Sequence, residues 1–221
     1  MKERPILFSA PMVRAILDGA KTQTRRVVKP QFVMRDGEPI WPSYAKRPRG
    51  RGFEDCPYGQ PGGRLWVREN FQPLMADDVP ESEWLSCDYK TGAGYKVSYP
   101  ATDGVVEYYD ISTDDAFCDR VTPSIHMPRW ASRITLEITG VRVERVQEIS
   151  EADAVAEGVE RVVVGDGWRR YDSSSAIELA GLVPCETARA SYRSLWEQIN
   201  GPGSWEANPW VWVIKFKRVT P

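Results

Sequence analysis

Gly19-Ala20-Lys21-Thr22-Gln23-Thr24-Arg25-Arg26 is the stretch on which the reading of this 221-residue chain turns. It follows Pro11–Leu17, where Met12, Val13, Ile16 and Leu17 recur at helical spacing behind a first-turn proline, so a helix of about two turns is expected there. Gly19 can leave that helix with positive φ. If the chain then runs extended, side chains alternate, placing Lys21, Gln23 and Arg25 on one face and Thr22, Thr24 and Arg26 on the other. Only a bulge would bring Lys21 and Thr24 together. The result is a loop-to-strand turn dense in hydrogen-bond donors, suited either to an anionic or carbonyl-bearing ligand or simply to solvent.

Outward from this turn, two further helices are expected. One runs from Ser150 to about Glu157, opened by a Ser-x-x-Asp pattern and closed by Gly158. The other runs from near Glu186 to Ile199, with Ala188, Tyr192, Leu195, Trp196 and Ile199 on one face. Strands are expected at Gly63–Glu69, Ala131–Arg145, Glu160–Val164 and Trp210–Lys217, whose alternation suits a half-buried sheet. The order is irregular and not βαβ. Residues 29–62 and 72–128, rich in Pro, Gly, Asp and Tyr, are read as long loop insertions in a single domain spanning 1–221. The class is α+β, with about three helices around a small mixed β-barrel.

Charge narrows the partners. The net charge is −2, but it is unevenly spread: residues 1–70 carry 14 Lys/Arg against 7 Asp/Glu, residues 71–125 carry 3 against 11, and residues 126–221 carry 12 against 13. A bulk polyanion binder would show an overall basic excess. The densest basic cluster is Lys46, Arg47, Arg49 and Arg51. Cys56, Cys87, Cys118 and Cys185 show no CxxC spacing, and His126 is the only histidine, so neither a zinc site nor a His-based nucleophile scheme is expected. Free thiols, no membrane span and a cytoplasmic location follow as expectations. Of nine tryptophans, Trp196, Trp210 and Trp212 sit where packing explains them, whereas Trp66 and Trp130, each beside an arginine, are candidates for stacking on bases.

The string ILDGAKTQTRR resembles the signature of the ASCH domain family, a PUA-like β-barrel whose motif reads Gly-x-Lys-x-x-Glu-x-Arg. Gly19, Lys21 and Arg26 match it, and Thr24 stands in place of the glutamate. The same substitution is found in the small ASCH proteins that act as N(4)-acetylcytidine amidohydrolases. The segment PGGRLWVRE and the closing strand WVWVIKF also resemble the family, and the opening and closing of the chain resemble its phage and prophage members with large insertions. The resemblance covers residues 5–28, 60–71, 130–160 and 208–218, about half the chain.

That resemblance implies a catalytic set of Lys21, Thr24 and a helical glutamate, for which Glu157 is the match. A carboxylate at a helix C-terminus opposes the helix dipole, a placement that calls for a reason. Amide hydrolysis needs a nucleophile, a base and a donor for the developing oxyanion. The Thr24 hydroxyl, or a water it holds, would attack, Lys21 would take the proton and Glu157 would pass one to the leaving amine. Lys21 can do so only if burial or neighbouring cations such as Arg25 or Arg26 lower its pKa. Arg26, Trp66, Arg68 and Glu69 are the candidates for holding base or sugar, and no cofactor or metal is implied. The substrate would be a nucleoside or modified base. The alternatives are an RNA- or DNA-binding PUA-like module, or a ribonuclease, since fold alone does not fix function.

Overall fold

The computed structural model describes residues 3–36, 38–40, 56–75, 90–91, 93, 95–105, 107–110, 115–118, 121–162, 166–171 and 184–219. Along the chain these form β1 (Glu3–Leu7), α1 (Ala10–Leu17), β2 (Gln23–Val27), β3 (Val33–Arg35), β4 (Glu38–Ile40), β5 (Arg64–Arg68), β6 (Gln72–Met75), β7 (Tyr95–Ser98), β8 (Glu107–Asp110) and β9 (Asp115–Cys118). There follow β10 (Thr135–Arg145), α2 (Glu151–Ala156), α3 (Ala188–Asn200) and β11 (Trp210–Val219). The expected α+β class holds. Backbone pairing orders five strands β1-β5-β10-β11-β2, while β3–β4, β6–β7 and β8–β9 are separate two-stranded pairs. β1 and β2 end that order, so the described strands form an open sheet and do not close into a barrel. β1 runs parallel to β5 and carries Pro5, whose missing N–H an end strand tolerates.

The contacts divide the chain into two compact units, each made of separated segments. Met1–Leu17, Arg64–Leu136 and Arg218–Pro221 form the first, and Asp18–Gly63 and Glu137–Lys217 form the second. In the first unit, α1 buries Val13, Ala15 and Ile16, and the Val13 amide donates to the Ser9 carbonyl at 2.9 Å. Leu65 and Val67 of β5 are fully buried, as are Phe71 and Met127, which cluster with Ala131, Trp130, Val97 and Tyr99.

In the second unit the core gathers Val146, Ile149, Ala154, Val159, Ala188, Tyr192, Trp196, Trp205, Val211 and Val213. β11 is not half-buried, as its alternation suggested. Val211, Trp212, Val213 and Ile214 are all at most 1% exposed, and because successive side chains point to opposite faces, both faces of this internal strand are covered. α3 opens with the Thr187 hydroxyl accepting from the Ala190 amide, ends at Gly201 and buries Ala188, Ser191, Tyr192, Ser194 and Trp196. Ile199, expected on that face, is instead 55% exposed at the helix end. The expected strand at 160–164 reduces, among the described residues, to an isolated bridge between Arg161 and Trp168, and Val163 and Val164 lie outside them. The Lys46–Arg51 cluster also lies outside the described residues.

Among the described residues no helix is long and apolar enough to cross a membrane. Cys56 and Cys185 are buried.

Candidate functional site

The site is built within the second unit from the end of one helix and one face of one strand. Gly19, at φ 76°, turns the chain out of α1. The Thr22 amide donates to the Ala156 carbonyl at 2.9 Å, and the Phe216 amide donates to the Thr22 carbonyl at 2.9 Å, pinning the approach to β2. β2 then pairs with β11 in unbroken antiparallel register: Gln23 with Lys215, Thr24 with Ile214, Arg25 with Val213, Arg26 with Trp212. No bulge interrupts it. Lys21, Gln23 and Arg25 accordingly share a face, and all three reach α2 or its end.

α2 starts as the Ser150-x-x-Asp153 pattern predicts, with the Ser150 hydroxyl accepting from the Asp153 amide at 3.1 Å. The Asp153 carboxylate does not complete a capping box, because it is turned onto arginines. Glu157 forms the helix C-cap, followed by Gly158 at φ 86°. Its backbone and both carboxylate oxygens are engaged. Lys21 Nζ donates to the Glu157 carbonyl at 2.7 Å and to its Oε2 at 3.0 Å, while Arg25 Nη1 donates to Oε1 at 2.8 Å. The Lys21 and Glu157 side chains are 1% and 4% exposed.

Arg25 extends the network. Its Nε donates to Glu144 Oε1 at 3.0 Å, Nη2 reaches the same oxygen, and Nη2 also donates to Asp153 Oδ2 at 3.2 Å. Arg142, nearer the surface, binds Glu144 Oε2 at 2.8 Å and Asp153 Oδ2 at 2.6 Å. Gln23 Nε2 donates to the Asp153 carbonyl at 2.9 Å. Three cations (Lys21, Arg25, Arg142) thus meet three anions (Glu144, Asp153, Glu157). Tyr192 of α3 closes one side, its ring centroid 5.8 Å from Arg25 Cζ.

Burial pushes the Lys21 ammonium below its ordinary value; the Glu157 charge opposes the shift, and Arg26 and Arg25 add to it. Burial also raises the Tyr192 phenol well above its ordinary value, and the Glu157 charge reinforces this, so Tyr192 is a neutral hydroxyl at any ordinary pH. For Asp153 burial acts upward but is outweighed by the Arg142 and Arg25 charges, which hold its carboxyl below the usual range.

Of the residues proposed from sequence, Lys21 and Glu157 are in direct contact although 136 positions apart. Thr24 is buried at 3% exposure on the same strand, but alternation turns it to the other face. Arg26 is half-buried beyond it. Arg25 was named only as a cation neighbouring Lys21, and Glu144, Asp153, Arg142 and Tyr192 were not singled out for this site. The shared face of Lys21 and Arg25 was the signal available for Arg25. Glu144 and Arg142, ordinary alternate residues of a long strand, offered none.

Trp66, Arg68 and Glu69 belong to the first unit and are engaged there. Trp66 is 8% exposed with Arg68 Cζ 4.7 Å and Arg129 Cζ 6.0 Å from its ring centroid, so a base could stack on that ring only by displacing a guanidinium. Arg68 Nη1 donates to the Ile125 carbonyl at 3.2 Å. Glu69, 1% exposed, is gripped by Arg133 at 3.0 Å on each oxygen, and Arg133 in turn lies 3.9 Å from the Tyr99 ring centroid. Trp130 is half-buried against Phe71, Met127 and Ala131.

No group of His, Cys, Asp or Glu among the described residues is arranged to hold a metal ion. No family model, curated protein or solved structure matches the chain.

Proposed function

We propose that this chain is a divergent ASCH-type protein, its open sheet related to the PUA-like barrel, that removes an acyl group from the exocyclic amine of cytidine or a related nucleoside in the cytoplasm. The observation that carries the reading is the buried contact between Lys21 Nζ and Glu157 Oε2 at 3.0 Å, with Lys21 held below its ordinary pKa. A lysine is a base near neutral pH only when its ammonium is disfavoured, which burial does here. A carboxylate in hydrogen-bond contact with it can relay the proton it gathers.

The reaction then balances without a cofactor. Neutral Lys21 takes a proton from an attacking water, whose oxygen bonds to the acyl carbon. The proton passes from Lys21 to Glu157 Oε2 and on to the amine nitrogen as the carbon–nitrogen bond breaks, leaving the free base and a carboxylic acid. Water is preferred to the Thr24 hydroxyl as the attacking group because Thr24 leaves β2 on the opposite face. Thr24 and Arg26 support the strand from there. In this reading Trp66, Arg68 and Glu69 have no part in the chemistry.

A second reading has its own observation. The balanced six-charge lattice could serve only to fasten α2 to β2, since buried ion pairs are common structural devices.

Hydrolysis of N(4)-acetylcytidine by purified protein, followed by loss of the acylated base's absorbance, separates them. Folded Lys21→Ala protein is expected to lose turnover entirely, and Thr24→Ala protein to keep a measurable part of it. A wild-type protein that is folded and inactive, or a Lys21→Ala protein with full turnover, rejects the hydrolase. RNA or DNA binding that weakens steeply with salt would point to the nucleic-acid reading instead.

A further inference from the structure

Glu157 answers to two cations, and the division between them is specific: Oε2 to Lys21 at 3.0 Å, Oε1 to Arg25 at 2.8 Å. We propose that Arg25 is a positioning residue of this site, holding Oε1 of Glu157 so that a single carboxylate oxygen is left to Lys21. This inference rests on the hydrolase reading for its catalytic meaning, but not for its geometry.

The physical argument starts from a conflict. A base needs Lys21 neutral, yet a carboxylate beside a lysine favours the charged ammonium. Burial alone is opposed by Glu157. Arg25 resolves the conflict because guanidinium keeps its charge at all working pH values and its planar fork can bind several oxygens at fixed angles. By taking Oε1 it shares the Glu157 charge, and its own positive charge disfavours a second cation nearby. Lys21 therefore donates one hydrogen bond to the carboxylate and meets less than a full countercharge.

Arg25 is itself rigidly held. Its side chain is fully buried, its Nε and Nη2 are spent on Glu144 and Asp153, and Arg142 fixes those two acids from outside. The guanidinium cannot swing away from Oε1 without breaking these contacts. The charges that act on Lys21 directly are those of Glu157, Arg26 and Arg25; Glu144 and Arg142 of β10, Asp153 of α2 and Tyr192 of α3 surround Arg25, and Lys215 of β11, paired with Gln23, acts on Asp153.

The test reads Lys21 directly. Lysine side-chain NMR of the whole chain, with the Lys21 signal assigned by its loss in Lys21→Ala, gives the Lys21 titration midpoint in wild type, Arg25→Lys and the charge-compensated Arg25→Gln/Glu144→Gln double variant. The double variant removes one cation and one anion, so it avoids stranding Glu144. The midpoint is expected to rise by about 1 unit or more in the double variant, the size of a neighbouring-charge effect, and to rise by less in Arg25→Lys, whose ammonium keeps the charge but cannot hold Oε1 and Glu144 together. If it is unchanged or falls in the double variant, the inference is overturned. Where wild type hydrolyses N(4)-acetylcytidine, the acid limb of the kcat/KM–pH profile should move upward by the same amount. A folded wild type without turnover would defeat the hydrolase reading alone, and the NMR midpoints would still decide the role of Arg25.

Discussion

Replacing Glu157 by Gln tests the site through stability, independently of any substrate. The glutamine keeps one carbonyl oxygen and turns an amide NH2 toward whichever cation held the other. In the present structure that means losing either the 3.0 Å bond from Lys21 or the 2.8 Å bond from Arg25, with both cation side chains at most 1% exposed. A hydrogen bond to a charged group is worth about 1.5–3 kcal/mol. Removing one member of a buried pair costs about 3–5 kcal/mol, since the survivor stays desolvated and uncompensated. We therefore expect a loss of about 3–5 kcal/mol at pH 7, taken from urea unfolding followed by tryptophan fluorescence. The loss should shrink as pH rises. Without Glu157 the folded-state pKa of Lys21 drops further below its unfolded value near 10.5, so across that window the unfolded chain binds more protons and the variant gains stability relative to wild type. A loss below about 1 kcal/mol at pH 7 would mean that Glu157 is not the countercharge of this network. A loss that grows between pH 7 and 9 would refute the sign of the Lys21 argument.

In the first unit, Arg133→Ala should cost about 3–5 kcal/mol by leaving Glu69 buried and unpaired, and adding Glu69→Gln should recover part of that loss; thermal melts of the single and double variants check both. At the alkaline end, Tyr171 is raised to about 12 and Tyr192 well above 10, in both cases mainly by burial. Unfolded tyrosine ionises near 10, so above that pH the folded chain holds more protons and stability should fall. Urea midpoints at pH 9, 10 and 11 should show that fall, and Tyr192→Phe should flatten it.

How much of this was legible in the sequence depends on range. α1, α2 and α3 announced themselves through local signals, a first-turn proline, Ser150 before Asp153, and helical spacing in Tyr192 and Trp196. β5, β10 and β11 were visible from β-branched and aromatic content. The face shared by Lys21, Gln23 and Arg25 followed from strand alternation alone, and the structure turns all three toward α2. What failed was non-local. The run Val211–Ile214 was read as half-buried although Trp, Val and Ile make it apolar on both faces, and the burial of all four side chains shows that both faces are covered. β1, with Pro5 in its middle, carries no strand pattern and exists because β5, some sixty residues later, offers it a parallel partner. Asp153 was read as a capping acid because a sequence shows its neighbour Ser150 and cannot show Arg142. Glu69 and Trp66 looked available for a ligand because their local strand conceals Arg133, Arg68 and Arg129.

The second unit is discontinuous, with Asp18–Gly63 separated from Glu137–Lys217 by residues that belong to the first. This sets a timetable on the ribosome. Lys21 and Glu157 are 136 positions apart, so at roughly 5–20 residues per second the lysine leaves the synthesis site about 7–27 s before its carboxylate. Throughout that interval Lys21, Gln23 and Arg25 are polar groups in water, at no energetic cost, and β2 lacks β11 entirely. The buried charges of Lys21 and Arg25 can therefore find Glu157 only late in synthesis, and they enter the interior together with their counterions.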